Sequence, residues 1–212
     1  MKLLRPELME INEETDLKEQ IKENSDHYDI REKKFRNIEE ENIEAQKYEF
    51  RNCIFESCKC IQSNFKNAYF SNVIFHNCDF SNSNFSKAGF NKVEFVNCKL
   101  TGSEWIETDI VDTYIKESNF AYVNFSDASL KDVKLEETNL QNGSMNEVVW
   151  KDMMFCRCDL TKMEFMRTRL KGIDFSDCEL KGITVGIPDL NGAIVNAFQA
   201  LELSNLLGIK IK

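Results

Sequence analysis

Residues 63–95 read SNFKN AYFSN VIFHN CDFSN SNFSK AGFNK VEF, with a phenylalanine at every fifth position from Phe65 to Phe95. The pattern extends in both directions, and every residue at a multiple of five from Phe50 to Leu190 is apolar or cysteine. Because only 42% of the chain is apolar, chance does not produce such a run. Two positions before most of these large residues stands a small one. An internal repeat of this strength decides the fold.

A period of five fits neither the 3.6-residue period of a helix nor the two-residue period of a strand. It fits a square coil with one pentapeptide on each side and four sides in each turn. The large residue then fills the interior, the small residue lies at the crowded inner wall, and successive turns stack at about 4.8 Å as strands do. The sequence has only 8 glycines and 2 prolines, so the many turns of such a coil must use other residue types.

The repeat unit resembles that of the pentapeptide-repeat proteins, whose consensus is Ala-(Asp/Asn)-Leu-x-x with Phe often replacing Leu. Units that match it well are Ser63-Asn64-Phe65, Ser83-Asn84-Phe85, Ser118-Asn119-Phe120, Thr138-Asn139-Leu140 and Cys158-Asp159-Leu160. The resemblance covers residues 30–195 and implies an all-β fold, a right-handed quadrilateral β-helix. Counting from Ile30, we expect about eight coils and a rod roughly 40 Å long. No loop interrupts the period between 50 and 190, whereas Glu40 and Ala45 predict an irregular first coil or a small excursion.

Residues 1–29 precede the repeat and are acidic, with 4 basic and 9 acidic residues and hence a net charge of −5. Pro6 suits the first position of a helix, and a weak helical stripe follows it at Leu8, Ile11, Leu17 and Ile21. We expect an acidic arm or a helix that caps the first coil. Docking of a partner is the alternative role.

Residues 196–212 predict a C-terminal helix and a short strand. Asn196 is a suitable N-cap, Gly208 is a suitable stop, and residues 209–212 alternate like a strand. The helix carries more apolar surface than the cap of one coil requires, which favours a symmetric homodimer joined end to end. The dimerisation residues would be Phe198, Leu201, Leu203, Leu206 and Leu207.

Several classes of function are disfavoured by the sequence. No apolar stretch approaches the roughly 20 residues of a membrane-spanning helix, and the first residues do not form a signal peptide, so we expect a cytoplasmic protein with reduced thiols. The net charge of −9 argues against direct binding of nucleic acid. The column that holds Cys58, Cys78 and Cys98 should point inward, which argues against a metal site. Phosphate-binding and catalytic motifs are lacking, so we expect neither an enzyme nor a cofactor.

Charge is the informative feature of the surface. Residues 101–150 contain 3 basic and 10 acidic residues, a net charge of −7. Many of these carboxylates stand two positions after the large residue, where the side chain should face solvent, and residues twenty apart should stack into ladders of like charge. The candidate partner-binding residues are Glu107, Asp112, Glu117, Asp127, Asp132, Glu137, Glu147 and Asp152.

Within the family, the quinolone-resistance members (the Qnr and MfpA group) end in a similar C-terminal segment and dimerise there. This resemblance implies a non-enzymatic protein that imitates DNA and binds DNA gyrase or topoisomerase IV. The acidic ladders would then stand in for phosphates. Several members of that group carry projecting loops linked to protection from quinolones, and this chain has none between 50 and 190, which puts drug protection in doubt.

The alternative is a pentapeptide-repeat scaffold or regulator that binds another protein, with the acidic band serving solubility alone. Its binding surface would be the N-terminal arm or a neutral face formed by Asn67, Asn72, Asn77 and Asn82.

Overall fold

A computed structural model describes residues 2–8, 11 and 14–209. The predicted β-helix is confirmed: the chain forms a β-solenoid of mostly parallel strands with a short C-terminal helix. No helix among these residues is long and apolar enough to span a membrane.

The strands change length along the rod. Six three-residue strands form the first coils: β1 Asp29–Arg31, β2 Lys34–Arg36, β3 Glu39–Glu41, β4 Glu49–Arg51, β5 Ile54–Glu56 and β6 Lys59–Ile61. Five eight-residue strands follow, each covering two sides of the square: β7 Tyr69–His76, β8 Gly89–Val96, β9 Asp109–Lys116, β10 Ser129–Glu136 and β11 Val149–Cys156.

Every strand pair joins residues twenty positions apart, in parallel register. Phe70 pairs with Phe90, and Leu130 pairs with Trp150, so each turn contains twenty residues as the period predicts. The main sheet runs β1-β4-β7-β8-β9-β10-β11. Its ladder completes about six turns, fewer than the eight expected, because the coils after Cys156 are joined by isolated bridges such as Asp174 with Ile194 rather than by strands.

The large residues fill the interior in stacks. The rings of Phe75 and Phe95 lie 4.5 Å apart and within 2° of parallel, and those of Phe70 and Phe90 lie 5.0 Å apart. The small column lies inside as well, since the Cys98 thiol donates a hydrogen bond to the Phe75 carbonyl at 3.4 Å. Each fully buried phenylalanine contributes roughly 1.5–3 kcal/mol from removal of apolar surface from water.

The turns explain the scarcity of glycine. The residue two positions after each large residue, from Glu32 to Gly172, has a positive φ without exception. We call these positions corner residues, because the chain turns there from one side of the square to the next. Asn and Asp tolerate this left-handed conformation best among non-glycine residues, and many corners carry them. No β-branched residue occupies a corner in this range, as the steric cost predicts.

The first coil is more regular than expected. Glu40 stands in the large-residue column, yet β3 pairs in register with β6 and places Glu40 beside Cys60. The Glu40 carboxylate is satisfied by an ion pair with Lys18. Ala45 is fully buried, and so there is no excursion of the chain between Phe35 and Phe50.

Helix α1, Leu17–Glu23, closes the N-terminal end of the coil. Asp16 caps it by accepting a 2.9 Å hydrogen bond from the Glu19 amide, and Leu17 is fully buried. The Tyr48 hydroxyl donates to the Ile21 carbonyl at 2.6 Å. Residues 2–8 are not helical, so Pro6 does not begin a helix.

Helix α2, Ala197–Leu203, closes the other end and begins at the predicted N-cap, Asn196. The Gln199 side-chain amide donates to the last coil's carbonyls at Phe175 and Cys178, at 2.8 and 2.7 Å. A 3₁₀ helix, Ser204–Leu207, continues to Gly208, whose φ of 70° fits the predicted stop. Another short 3₁₀ helix spans Ile187–Leu190. Most of the predicted terminal strand, residues 210–212, lies outside the described residues.

Candidate partner-binding surface

The eight predicted acidic residues are all corner residues of the middle coils, and they occupy three of the four corners. The first corner column contains Glu107, Asp127 and Glu147, the second contains Asp112, Asp132 and Asp152, and the third contains Glu117 and Glu137. Successive members of a column are one coil apart. The ladders therefore have the register that the sequence predicts.

The aspartates and glutamates of these columns differ in their partners. All four glutamates are ion-paired, through Lys87 to Glu107 at 3.2 Å, Lys116 to Glu117 at 3.0 Å, Arg157 to Glu137 at 2.8 Å, and Arg167 to Glu147. The four aspartates have no lysine or arginine within 4 Å among residues 2–8, 11 and 14–209. Uncompensated negative charge is thus concentrated on Asp112, Asp127, Asp132 and Asp152.

A basic ladder divides the acidic surface. Lys131 and Lys151 pair in register on the side between the first and second corner columns, and Lys171 continues their column one coil further. Both paired lysines are exposed. The surface is therefore a set of negative edges with a positive stripe between two of them, and not one continuous acidic face.

A second charged cluster, which the sequence analysis missed, lies on the side between the second and third corner columns. Glu136 accepts hydrogen bonds from Lys134 at 2.7 Å, from the Tyr114 hydroxyl at 2.6 Å and from Arg157 at 2.8 Å. These donors, Lys134 foremost and then Tyr114, lower the pKa of Glu136 to about 2. Burial first, and then the bond to Glu136, raise the pKa of Tyr114 to about 12. Glu94, Tyr114 and Lys134 are spaced by twenty residues and therefore stack on one side of the rod. This spacing is the sequence feature from which the cluster could have been predicted.

The N-terminal arm, residues 2–8, docks on this same side of the rod. The Leu4 amide donates to Asp112 at 3.1 Å, and the Arg5 guanidinium pairs with Glu94 while lying 4.1 Å from the centre of the Tyr114 ring. The Glu7 amide donates to Asn72 at 2.8 Å. One of the predicted acidic residues is therefore already engaged by the chain itself.

The predicted neutral face is wrong. Asn67, Asn72, Asn77 and Asn82 are successive corner residues, so they point away from four different corners of the coil and share no face. Asn72 holds the arm, and the side-chain oxygen of Asn77 accepts a 2.6 Å hydrogen bond from the side-chain nitrogen of Asn97, one coil further along the rod.

Four of the five apolar side chains that the sequence predicts for dimerisation are exposed at the C-terminal end. Phe198 is 83% exposed, and Leu201, Leu206 and Leu207 are also exposed. Leu203 instead packs against the core. An open groove beside these residues is lined by Ile187, Leu190, Val195 and Leu203.

Seven of the eight cysteines are buried in the interior, and Cys156 is the exception. The thiols of Cys58 and Cys78 donate to the carbonyls of Phe35 and Phe55, both at 3.3 Å. Burial raises the pKa of the Cys53 thiol to about 11, so this sulfur is held as a protonated, weakly polar packing group. Among the residues that the structure describes, no three His, Cys, Asp or Glu side chains are grouped to hold a metal ion.

Comparison with known families agrees with this architecture. The sequence model described as a pentapeptide repeat region matches residues 48–125 and 90–165. The chain belongs to the pentapeptide-repeat family. No curated protein sequence matches this pentapeptide-repeat protein significantly.

Solved structures similar to this pentapeptide-repeat protein share little sequence with it. A trypsin-treated variant of QnrB1, a plasmid-mediated fluoroquinolone resistance protein, is 20% identical over 87% of this chain and 97% of its own, with a TM-score of 0.49. HetL from the cyanobacterium Nostoc sp., involved in heterocyst differentiation regulation, is 12% identical over 85% of this chain and 99% of its own, with a TM-score of 0.38. A thylakoid-lumen pentapeptide-repeat protein of Arabidopsis thaliana is 18% identical over 68% of this chain and 72% of its own, with a TM-score of 0.26.

Proposed function

We propose that this protein is a non-enzymatic binding protein whose acidic corners dock on a basic, DNA-binding surface of a protein partner. The partner to test is a cytoplasmic type II topoisomerase, DNA gyrase or topoisomerase IV. The observation that carries the proposal is the stacking of unpaired aspartates in the middle coils, with Asp132 and Asp152 one above the other and Asp127 at the adjoining corner.

The fold holds the carboxylates of the corner aspartates at fixed positions. Stacked carboxylates at strand spacing repel one another, and the chain neutralises the glutamates but leaves these aspartates uncompensated. A rigid line of negative charge is complementary to a surface evolved for phosphates, and such complementarity speeds association and selects the partner.

The ends of the rod support a dimeric form of the binding unit. Exposed Phe198, Leu201 and Leu207 crowd the C-terminal end, and a second copy placed end to end would cover them in a symmetric contact. The homodimer would place two sets of acidic corners along one rod of twice the length.

The test is a gyrase supercoiling assay, repeated with topoisomerase IV decatenation, with and without a fluoroquinolone. The wild-type protein is compared with the triple variant Asp127→Asn, Asp132→Asn and Asp152→Asn, because asparagine keeps the left-handed corner conformation. The matched control removes three exposed carboxylates outside the middle coils, through Asp26→Asn, Glu41→Gln and Glu202→Gln.

The expected result is inhibition by the wild-type protein and the control, with at least a tenfold weaker effect of the corner variant. Rescue of the enzyme from the drug would extend the function to quinolone protection. Equal inhibition by corner variant and control would reject the acidic corners as the binding surface, and no effect on either enzyme would reject this partner class.

The second candidate is a scaffold for another protein, and the ion pairing of the four corner glutamates of the middle coils favours it. Deletion of residues 1–29 would test that reading poorly, because Leu17 is part of the core. The substitution Arg5→Glu is the milder probe of the arm. Loss of a cellular partner on this change, with gyrase unaffected, is the result expected of the scaffold.

A further inference from the structure

The outer side of the rod near Asn72, Glu94 and Asp112 holds the N-terminal arm as a bound peptide would be held. We infer that this surface is a docking groove for an extended, arginine-containing peptide segment of another protein, and that the arm occupies it in cis as a displaceable ligand. The inference does not rest on the proposed function.

Asn72 binds the main chain of the arm through its side-chain amide. Its side-chain oxygen accepts from the Glu7 amide at 2.8 Å, and its side-chain nitrogen donates to the Glu7 carbonyl at 3.1 Å. The second hydrogen of that nitrogen is directed to the Asn52 oxygen at 2.7 Å, which fixes the orientation of the amide. This contact engages main-chain atoms alone and accepts any residue at that position.

The spacing of the backbone contacts matches an extended chain. Asn72 and Asp112 belong to the same corner column two coils apart, about 9.6 Å, and they bind residues three apart in the arm, about 10 Å when extended. The column and the peptide are therefore commensurate. Asp132 and Asp152 continue the second corner column beyond Asp112, so further carboxylates lie on the same edge toward the C-terminal coils.

Arg5 supplies the side-chain specificity. Its guanidinium pairs with Glu94 and lies over the Tyr114 ring, a combination of ion pair and cation–π contact that suits arginine better than lysine. Glu94 keeps only 12% of its side chain exposed, and Tyr114 is 7% exposed. Pro6 favours the extended conformation at Arg5, which presents the side chain to this pocket.

The arm is held in a way that permits exchange. Residues 2–8 form no strand pairing with the coils, whereas Glu14 bridges to Lys34 and the Thr15 amide donates to the Lys34 carbonyl. The arm carries Lys2 and Arg5 against a single acidic residue, so its positive charge complements the acidic coils. Its attachment is polar and at the surface, and a peptide in trans competes with it by mass action.

The test uses full-length protein and a fluorescent peptide with the sequence of residues 2–8, followed by fluorescence anisotropy. Arg5→Glu places a carboxylate against Glu94 and frees the groove, and Lys2→Glu is the control with the same change of charge, at an exposed residue for which the structure shows no hydrogen bond or ion pair. We expect the peptide to bind the Arg5→Glu protein at least tenfold more tightly than the wild-type protein or the control.

Two further comparisons separate the groove from nonspecific attraction. A peptide whose arginine is replaced by glutamine should bind at least tenfold more weakly. Within the Arg5→Glu protein, Asn72→Asp should weaken binding about tenfold, whereas Asn77→Asp, at the next corner of the same coil, should not. Arg5→Gln repeats the test if Arg5→Glu perturbs folding by circular dichroism. Absence of binding, equal binding by Arg5→Glu and Lys2→Glu proteins, or indifference to the peptide's arginine would overturn the inference.

Discussion

The phenol of Tyr114 donates a 2.6 Å hydrogen bond to Glu136, which lies on the following coil. The same carboxylate accepts hydrogen bonds from Lys134 and Arg157. The Glu136 side chain therefore joins three successive coils of the solenoid. Because all three donors favour the charged form, the pKa of Glu136 falls to about 2. A carboxylate whose pKa is depressed by folding makes the free energy of unfolding depend on pH.

Glu136→Gln should remove this dependence. The stabilisation is fully present above the unfolded pKa of about 4.3 and is lost as pH falls through about 2. We expect the variant to lose about 1–2 kcal/mol at pH 7, after allowance for partial exposure of the site, and to converge with the wild-type protein below pH 2. Urea denaturation between pH 2 and 7 measures both. Glu117→Gln, which breaks one exposed pair with Lys116, is the control and should change stability by less than about 0.5 kcal/mol.

The left-handed corners give the second prediction. Asn142 has a φ of 57°, is exposed, and has no side-chain hydrogen bond shown by the structure. Asn142→Val should lower the free energy of unfolding by about 1–2 kcal/mol, because a β-branched side chain clashes with the backbone there. Asn142→Gly should be close to neutral. Equal stability of the valine and glycine variants would contradict the steric account.

A control for this prediction lies on a flat side of the rod. Lys131 is in extended backbone, and its partner in the preceding coil is Val111, so valine already occupies the column. Lys131→Val should leave the free energy of unfolding within about 0.5 kcal/mol of the wild-type value.

Most of the fold could be predicted from the five-residue period of the sequence. The column from Phe50 to Leu190 predicted the interior, and the small column predicted the inner wall, because a solenoid repeats one local solution and each coil contacts only its neighbours. The same arithmetic predicted which carboxylates stack. The sequence could not show whether Glu40 breaks the coil or is tolerated within it, since its ion-pair partner Lys18 belongs to α1, outside the repeat.

The contacts that could not be predicted from the sequence are those that do not follow the five-residue repeat. Arg5 meets Glu94 across 89 residues, and nothing in the local pattern of the arm indicates where it docks. The pairing of corner glutamates depends on which basic residue falls beside each corner, as Arg157 does for Glu137. The prediction of a neutral asparagine face was wrong for another reason. Residues five positions apart lie at successive corners of the coil, whereas only residues twenty positions apart lie on the same edge.

The buried thiols give the third prediction. Of the eight cysteines, Cys156 alone is not buried, and burial raises the pKa of Cys53 to about 11. Since the thiolate is the reactive form, Ellman's reagent at pH 8 should modify at most one thiol within minutes, and all eight after denaturation. Cys156→Ser should abolish the fast reaction. Cys98→Ser, in a column that already accepts Ser118, should leave it unchanged, and several fast thiols would mean that the coils open.

The C-terminal end gives the last prediction. Phe198 and Leu207 are 83% and 57% exposed, and burial of each such side chain in a symmetric contact would contribute roughly 1.5–3 kcal/mol. A twofold contact doubles every substitution, so Phe198→Glu with Leu207→Glu places four carboxylates in it. Sedimentation equilibrium should show twice the chain mass for the wild-type protein and a dissociation constant at least 100-fold higher for this variant. Val149→Glu changes a side chain that is 72% exposed on the side of the rod and should leave the dimer intact, whereas a monomeric wild-type protein would contradict the end-to-end arrangement.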